Sequence, residues 1–190
     1  MKRFKFFSIL LPILVVLLTT ASFTGCERSS AQSVSKLPSA PTRVYTAEDM
    51  QSVMSRNGIN TGTFITPDSN YVLTTREWIQ IEFSAGLSAF QFQMGINNWE
   101  PETNDCDKFA SATTFYAKWL NHSTPNRKVK ASLACGEIYY LRQKDNRGHA
   151  INFFVINQSG ELKILFYEPQ TRQFVSLTQS EIFSIYFWKL

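Results

Sequence analysis

The sequence holds no apolar run long enough to span a bilayer, no dense cluster of Lys and Arg, and no internal repeat. It has only two histidines and three cysteines among its 190 residues. A membrane-spanning helix needs about 20 consecutive apolar residues. The longest apolar run, Phe6 to Leu18, is shorter and is interrupted by Ser8 and Pro12. Without a basic patch in the folded part, nucleic acid is excluded as a partner. Lys2, Arg3 and Lys5 lie at the very start, and without them the formal charge falls from +4 to +1. The basic character therefore belongs mostly to the first five residues. Two histidines leave only His122 and His149 as candidate imidazole bases.

What the chain does have begins with a basic start, a short apolar run and the exit Ser22-Phe23-Thr24-Gly25-Cys26. This is the pattern of a secretory signal peptide over residues 1–25. Gly25-Cys26 at this distance from the run resembles a bacterial lipobox, although Phe23 stands where Leu is usual. The resemblance implies cleavage before Cys26 and thioether lipidation of its sulfur, with acyl chains such as palmitate anchoring the protein to a membrane. Glu27 follows where an inner-membrane retention signal would often have Asp. By that rule the expected location is the cell envelope, at the outer membrane in a cell that has one. Residues 26–43 contain the lipidated cysteine and a Ser-, Ala- and Pro-rich stretch without apolar period, which reads as a flexible tether. Residues 44–190 are aromatic-rich and long enough to bury one core.

Within that domain, Thr46-Ala47-Glu48-Asp49 opens like a capped helix that Asn57-Gly58 ends. Short extended pieces at Gly62 to Thr66 and Tyr71 to Leu73 flank a turn at Pro67-Asp68-Ser69. A second helix is expected from Thr75 to Phe90, followed by a loop at Gly95 to Pro101. Asn104 or Asp105 can cap a third helix reaching Leu120, with Phe109, Ala112, Phe115, Tyr116, Trp119 and Leu120 on one stripe. A loop follows over Asn121 to Arg127. Four runs then read as an antiparallel meander: Ala131–Leu141, Ala150–Ile156, Leu162–Tyr167 and Gln173–Leu177. Thr178 to Glu181 forms a capping box, and Ile182–Leu190 is either a short helix or a last strand. Helices first and a sheet after them make an α+β fold.

The chemistry centres on Cys106, in the first turn of the third helix, where unpaired N–H groups and the helix dipole favour a thiolate. His149 starts a strand and Glu168 ends the next, so on adjacent antiparallel strands they can be neighbours. The imidazole would accept the thiol proton and the carboxylate would orient the ring. The competing reading makes Cys106 a disulfide partner of Cys135. Cys135 by itself reads as a packed core residue. His122 lies in a polar segment at a helix end, and Asn152 reads as sheet support. Trp78, Trp99 and Trp188 read as core or cleft walls. Candidate oxyanion or substrate groups are Gln170, Asn98 or its neighbour Asn97, and the Cys106 backbone N–H.

Trp99-Glu100-Pro101-Glu102, Asp105-Cys106-Asp107-Lys108-Phe109-Ala110, Gly148-His149-Ala150-Ile151-Asn152 and Tyr167-Glu168-Pro169-Gln170 together resemble one family. It is the papain-like cysteine protease domain at the C-terminus of a mushroom agglutinin. The resemblance spans about residues 70–178. It implies a papain-like or transglutaminase-like fold, with N-terminal helices packed on an antiparallel sheet, and a Cys106–His149–Glu168 triad. It also implies a calcium ion near the site with Asp107 as a candidate ligand. Lys108 stands where the family often has a second acid, and Asp107 alone is a poor ligand set for an ion that takes six to eight oxygens. The expected function is a thiol hydrolase, a cysteine peptidase or amidase, acting on a peptide or protein, cell-wall peptide included. The same three groups would also serve a transglutaminase-type acyl transferase, and a catalytically inactive binding module of the same fold is the third reading. Lipid-anchored wall peptidases of the NlpC type carry Asp-Cys-Ser-Gly, and this chain has Asp-Cys-Asp-Lys.

Overall fold

Residues 43–60, 62–102, 105–123 and 129–190 are described by the computed structural model. The expected signal segment, Cys26, the tether up to residue 42 and Asn104 lie outside them. No described helix is long and apolar enough to cross a membrane.

Strand β1 (Tyr45–Thr46) runs directly into helix α1 (Ala47–Arg56). The junction is set by the expected cap. Thr46 Oγ1 accepts the Asp49 N–H at 3.2 Å and Asp49 Oδ2 accepts the Thr46 N–H at 2.8 Å, so two otherwise unpaired helix-end donors satisfy each other's residues. Strands β2 (Thr63–Ile65) and β3 (Asn70–Val72) flank the Pro67–Ser69 turn. The second helix starts at Thr75 as expected, with the Thr75 hydroxyl accepting the Trp78 N–H, but is not regular. A short α2 (Arg76–Trp78) passes into a π-helical stretch, Ile79–Phe83, before α3 (Ser84–Gln93). The Ser84 hydroxyl donates to the Ile79 carbonyl at 2.7 Å and pairs with the Tyr167 hydroxyl at 2.8 Å. The widened turn thus ties the helix to the sheet, an arrangement that periodicity alone does not announce.

Helix α4 (Cys106–Ser123) is longer than expected and takes in Asn121 to Ser123. Its apolar stripe is rotated from the expected one. Phe109, Ala110, Thr113, Thr114, Tyr116, Ala117 and Leu120 are buried, whereas Phe115 and Trp119 are exposed. Small Ala and Thr residues face the sheet because the helix lies close on it, and the bulky aromatics ride on the outside. Phe115 stacks on Phe90, and Trp119 on Tyr116.

The run Ala131–Leu141 is two strands. β4 (Ser132–Leu133) pairs parallel with β3, giving a small sheet ordered β1-β3-β4. At Ala134 the chain passes to the main sheet, where β5 (Cys135–Leu141) begins. Ala134 serves both sheets, its N–H donating to Val72 and its carbonyl accepting from Val155. The expected antiparallel meander follows as β5, β6 (Gly148–Gln158), β7 (Glu161–Glu168) and β8 (Gln173–Val175). The β6–β7 turn has positive φ at Ser159 and Gly160, as a two-residue hairpin turn requires.

The tail supplies both expected alternatives. Helix α5 (Gln179–Phe183) carries the Thr178–Glu181 capping box, and β9 (Phe187–Lys189) follows it. Strand β9 lies against β5 antiparallel and β2 parallel, so the main sheet is mixed, not purely antiparallel, with the order β2-β9-β5-β6-β7-β8. Gly136 permits this: a Cβ there would meet the Lys189 carbonyl oxygen at 2.3 Å.

The sheet has a core on each face. One joins α1, through Met50, Val53 and Met54, to Ile138, Ile151, Phe153, Val155 and Trp188. The other joins Trp78, Ile79, Phe83, Leu87, Tyr116 and Leu120 to Cys135, Phe154 and Tyr167. Trp78 and Trp188 are core residues as expected, while Trp99 is 57% exposed. Asn152, fully buried on β6, donates to the Ala110 carbonyl (2.9 Å), Thr114 Oγ1 (3.0 Å) and the Gly136 carbonyl (3.1 Å). It fixes α4 to the sheet, which is sheet support extended to a helix.

Candidate active site

Three elements meet at one end of the main sheet. Cys106 is the first residue of α4, His149 the second of β6, and Glu168 the last of β7. The β6–β7 register pairs Asn152 with Tyr167, and beyond it the side chains of His149 and Glu168 converge. His149 Nε2 lies 2.7 Å from Glu168 Oε2, with only 10% and 15% of the two side chains exposed. A carboxylate can only accept, so the Nε2–H donates to Glu168 and Nδ1 is the ring nitrogen left for the thiol. Tyr140, opposite His149 across the β5–β6 pair, meets the imidazole edge to face with ring centres 5.8 Å apart.

The electrostatics follow from this arrangement. The hydrogen bond with His149 lowers the Cys106 thiol below its usual range; burial opposes this, and the Ala150 backbone N–H and the imidazolium charge assist it. Burial works against a charged His149, but its hydrogen bonds to Cys106 and Glu168 prevail and raise it to about 9. Both shifts favour a thiolate–imidazolium pair near neutral pH. Cys135 contrasts with this. It is fully buried in β5, where burial pushes its thiol far up. Both cysteines are free, so the disulfide alternative is not formed: one thiol lies in the core and the other beside His149.

Glu168 is held from two sides. Oε2 takes the imidazole, and Oε1 accepts the Gln170 backbone N–H at 3.2 Å. Gln170 therefore serves the site through its main chain. Asn98 and Asn97 are exposed in the loop after α3. His122 is exposed at the far end of α4, sixteen residues from Cys106 and remote from its helix end. Sequence reasoning missed Gln91, which is 1% exposed and donates to the Pro169 carbonyl within the turn after Glu168. A lone Gln on a helix, 78 residues from its partner, carries no local signal.

Asp105 and Asp107 flank the cysteine. A hydrogen bond that the neutral Asp107 carboxyl donates to Asp105, with burial and the neighbouring charge, raises the Asp107 carboxyl. Asp107 Oδ1 also accepts the Lys108 N–H at 2.8 Å, and Asp105 Oδ1 is a buried oxygen with no hydrogen-bond partner. Among the described residues no group of three His, Cys, Asp or Glu side chains is arranged to hold a metal ion. Asp105 and Asp107 alone supply fewer oxygens than the six to eight that calcium takes.

An α+β domain that sets a lowered thiol at a helix start, beside a His–Glu pair on a sheet end, is the class of molecule this geometry defines. Solved structures of a mushroom lectin share the fold. One is a PSL1a–E64 complex, 20% identical with a TM-score of 0.60, covering 77% of this chain and 51% of that one. The other is the Polyporus squamosus lectin bound to the human-type influenza-binding epitope Neu5Acα2-6Galβ1-4GlcNAc. It is 24% identical with a TM-score of 0.57, covering 77% of this chain and 49% of that one. The chain thus spans about half the length of these structures. No family model and no curated protein matches it.

Proposed function

We propose that residues 44–190 form a papain-like thiol hydrolase, a cysteine peptidase or amidase, carried by a lipoprotein of the cell envelope. The observation that supports it best is the 2.7 Å His149–Glu168 contact beside a thiol whose proton His149 draws away. The Cys106 thiolate attacks a substrate carbonyl carbon, and the oxyanion forms near the first-turn N–H groups of α4. Imidazolium His149 gives its proton to the leaving amine as the C–N bond breaks, leaving a thioester on Cys106. His149 then takes a proton from water, whose oxygen attacks the thioester, and the acid leaves as the thiolate–imidazolium pair is restored. Glu168 keeps the ring oriented and stabilises its charge throughout. An amine in place of water makes the same sequence an acyl transfer.

The substrate class that suits an envelope location is peptide, wall peptide included. The test is incubation of the purified domain with peptides, casein and wall fragments. E64, an epoxide that alkylates activated thiols, serves as blocking agent and mass tag. Cleavage that stops with one E64 on Cys106 supports the reading. No cleavage and no E64 adduct would remove it.

A second reading rests on the sugar-bound lectin of similar fold: a binding module without turnover, for glycan or peptide. Glycan-array binding that survives Cys106→Ala, with no hydrolysis by the parent protein, would favour it.

A further inference from the structure

We propose that Gln91, in the last turn of α3, is a positioning residue that acts on Glu168 by clamping the β7–β8 turn. This rests on the reading of Cys106, His149 and Glu168 as the reacting set.

The turn runs from Glu168 to Gln173, and its own bonds close it. The Arg172 N–H donates to the Glu168 carbonyl at 2.8 Å, with Arg172 at φ +57°. Its end residues pair in the sheet, and what it needs beyond them is a hold on the peptide units between. Gln91 supplies one at both ends: Nε2 donates to the Pro169 carbonyl and Oε1 accepts from Arg172 Nη1, each at 3.3 Å. The amide orientation is not ambiguous, because a carbonyl can only accept and a guanidinium can only donate.

The Pro169 carbonyl and the Gln170 N–H are the two poles of one planar peptide unit. Gln91 holds the carbonyl pole. The N–H pole donates to Glu168 Oε1, and the other oxygen of that carboxylate takes His149 Nε2. Fixing the plane of this peptide therefore fixes the direction of the N–H that aims the carboxylate. A bonded carbonyl also polarises its own N–H as a donor. Gln91 itself is anchored: its backbone carbonyl accepts the Ile96 N–H at 2.8 Å, and α3 packs through Leu87 into the core beneath Tyr167. The chain of contacts runs from a rigid helix through one peptide plane to Glu168 and then to His149.

The experiment measures two quantities across pH in the wild type, Gln91→Met, Glu168→Gln and the double variant: Cys106 alkylation by iodoacetamide, and the His149 imidazole titration by NMR. Gln91→Met should lower the His149 midpoint and slow alkylation near neutral pH by about tenfold, the equivalent of one pKa unit. In the Glu168→Gln background it should add nothing, because residues acting through one group are not additive. An unchanged profile in Gln91→Met, or an effect that adds in full to Glu168→Gln, overturns the positioning role while leaving the proposed hydrolase intact. An unactivated thiol in the wild type overturns both. If Gln91→Met does not fold, Arg172→Met tests the same clamp from its partially exposed side. It should give a smaller shift in the same direction, absent in the Glu168→Gln background, and a wild-type profile for Arg172→Met alone overturns the clamp.

Discussion

Two cysteines about 30 residues apart in the chain meet opposite physics. Cys106 begins a helix at the end of the sheet, partly exposed, with an imidazole and a backbone N–H directed at its sulfur. Cys135 begins a central strand, has no exposed surface, and packs with Phe154 and Tyr167. The first environment draws the thiol proton away and the second holds it. Residue type is the same; the difference lies in whether charge on sulfur has partners or only apolar neighbours. The same contrast explains why no disulfide joins them: one belongs to the core of a face and the other to its rim.

Substitutions at each site sharpen that contrast. The largest effect is expected for Cys106→Ala, which should abolish hydrolysis, a loss of at least about 10³-fold, while the thermal transition stays close to the parent's. Glu168→Gln should follow, with a loss of about 10- to 100-fold in kcat/KM, since the nucleophile remains but its base loses its orienter. A pH shift should accompany it. His149 must be protonated to release the amine, so activity should fall as pH rises through about 9. In Glu168→Gln that fall should move to lower pH, because the carboxylate is one of the groups that raises the imidazole. Asn152→Leu should reduce activity only a few-fold but lower stability by about 1–3 kcal/mol in chemical denaturation, because two bonds from the sheet to α4 and one within the sheet are lost. Cys135→Ser should leave Cys106 labelling unchanged in the folded protein. It should cost about 1–3 kcal/mol of stability by placing a hydroxyl in an apolar site.

The parts of this fold that could be read from sequence are those with local causes. Thr46 and Thr178 announce their capping boxes through acids three residues on. Gly148-His149 and Tyr167-Glu168 sit at strand ends whose hairpin turn fixes the register, so the His149–Glu168 contact was accessible from pattern. The features that escaped depend on distant partners. The π-helical turn at Ile79–Phe83 answers to Tyr167, more than 80 residues away. The burial of α4 follows from how close the helix lies to the sheet, which turned Phe115 and Trp119 outward against expectation. The break at Ala134 falls where one residue bonds two sheets, Val72 through its N–H and Val155 through its carbonyl. Strand β9 reaches β5 only because Gly136 leaves room, so a purely antiparallel sheet was the natural but incomplete expectation. Gln91 belongs with this group: its role is defined by a turn that sequence distance conceals.

The most direct test of the account is differential alkylation of the folded protein with iodoacetamide between pH 5 and pH 9, followed by peptide mapping of both cysteines. Cys106 should label rapidly well below the pH at which a free thiol of pKa about 8.5 reacts and lose that advantage in His149→Ala, and Cys135 should stay unlabelled until the protein unfolds. Equal, slow labelling of Cys106 and a free-thiol control would contradict it.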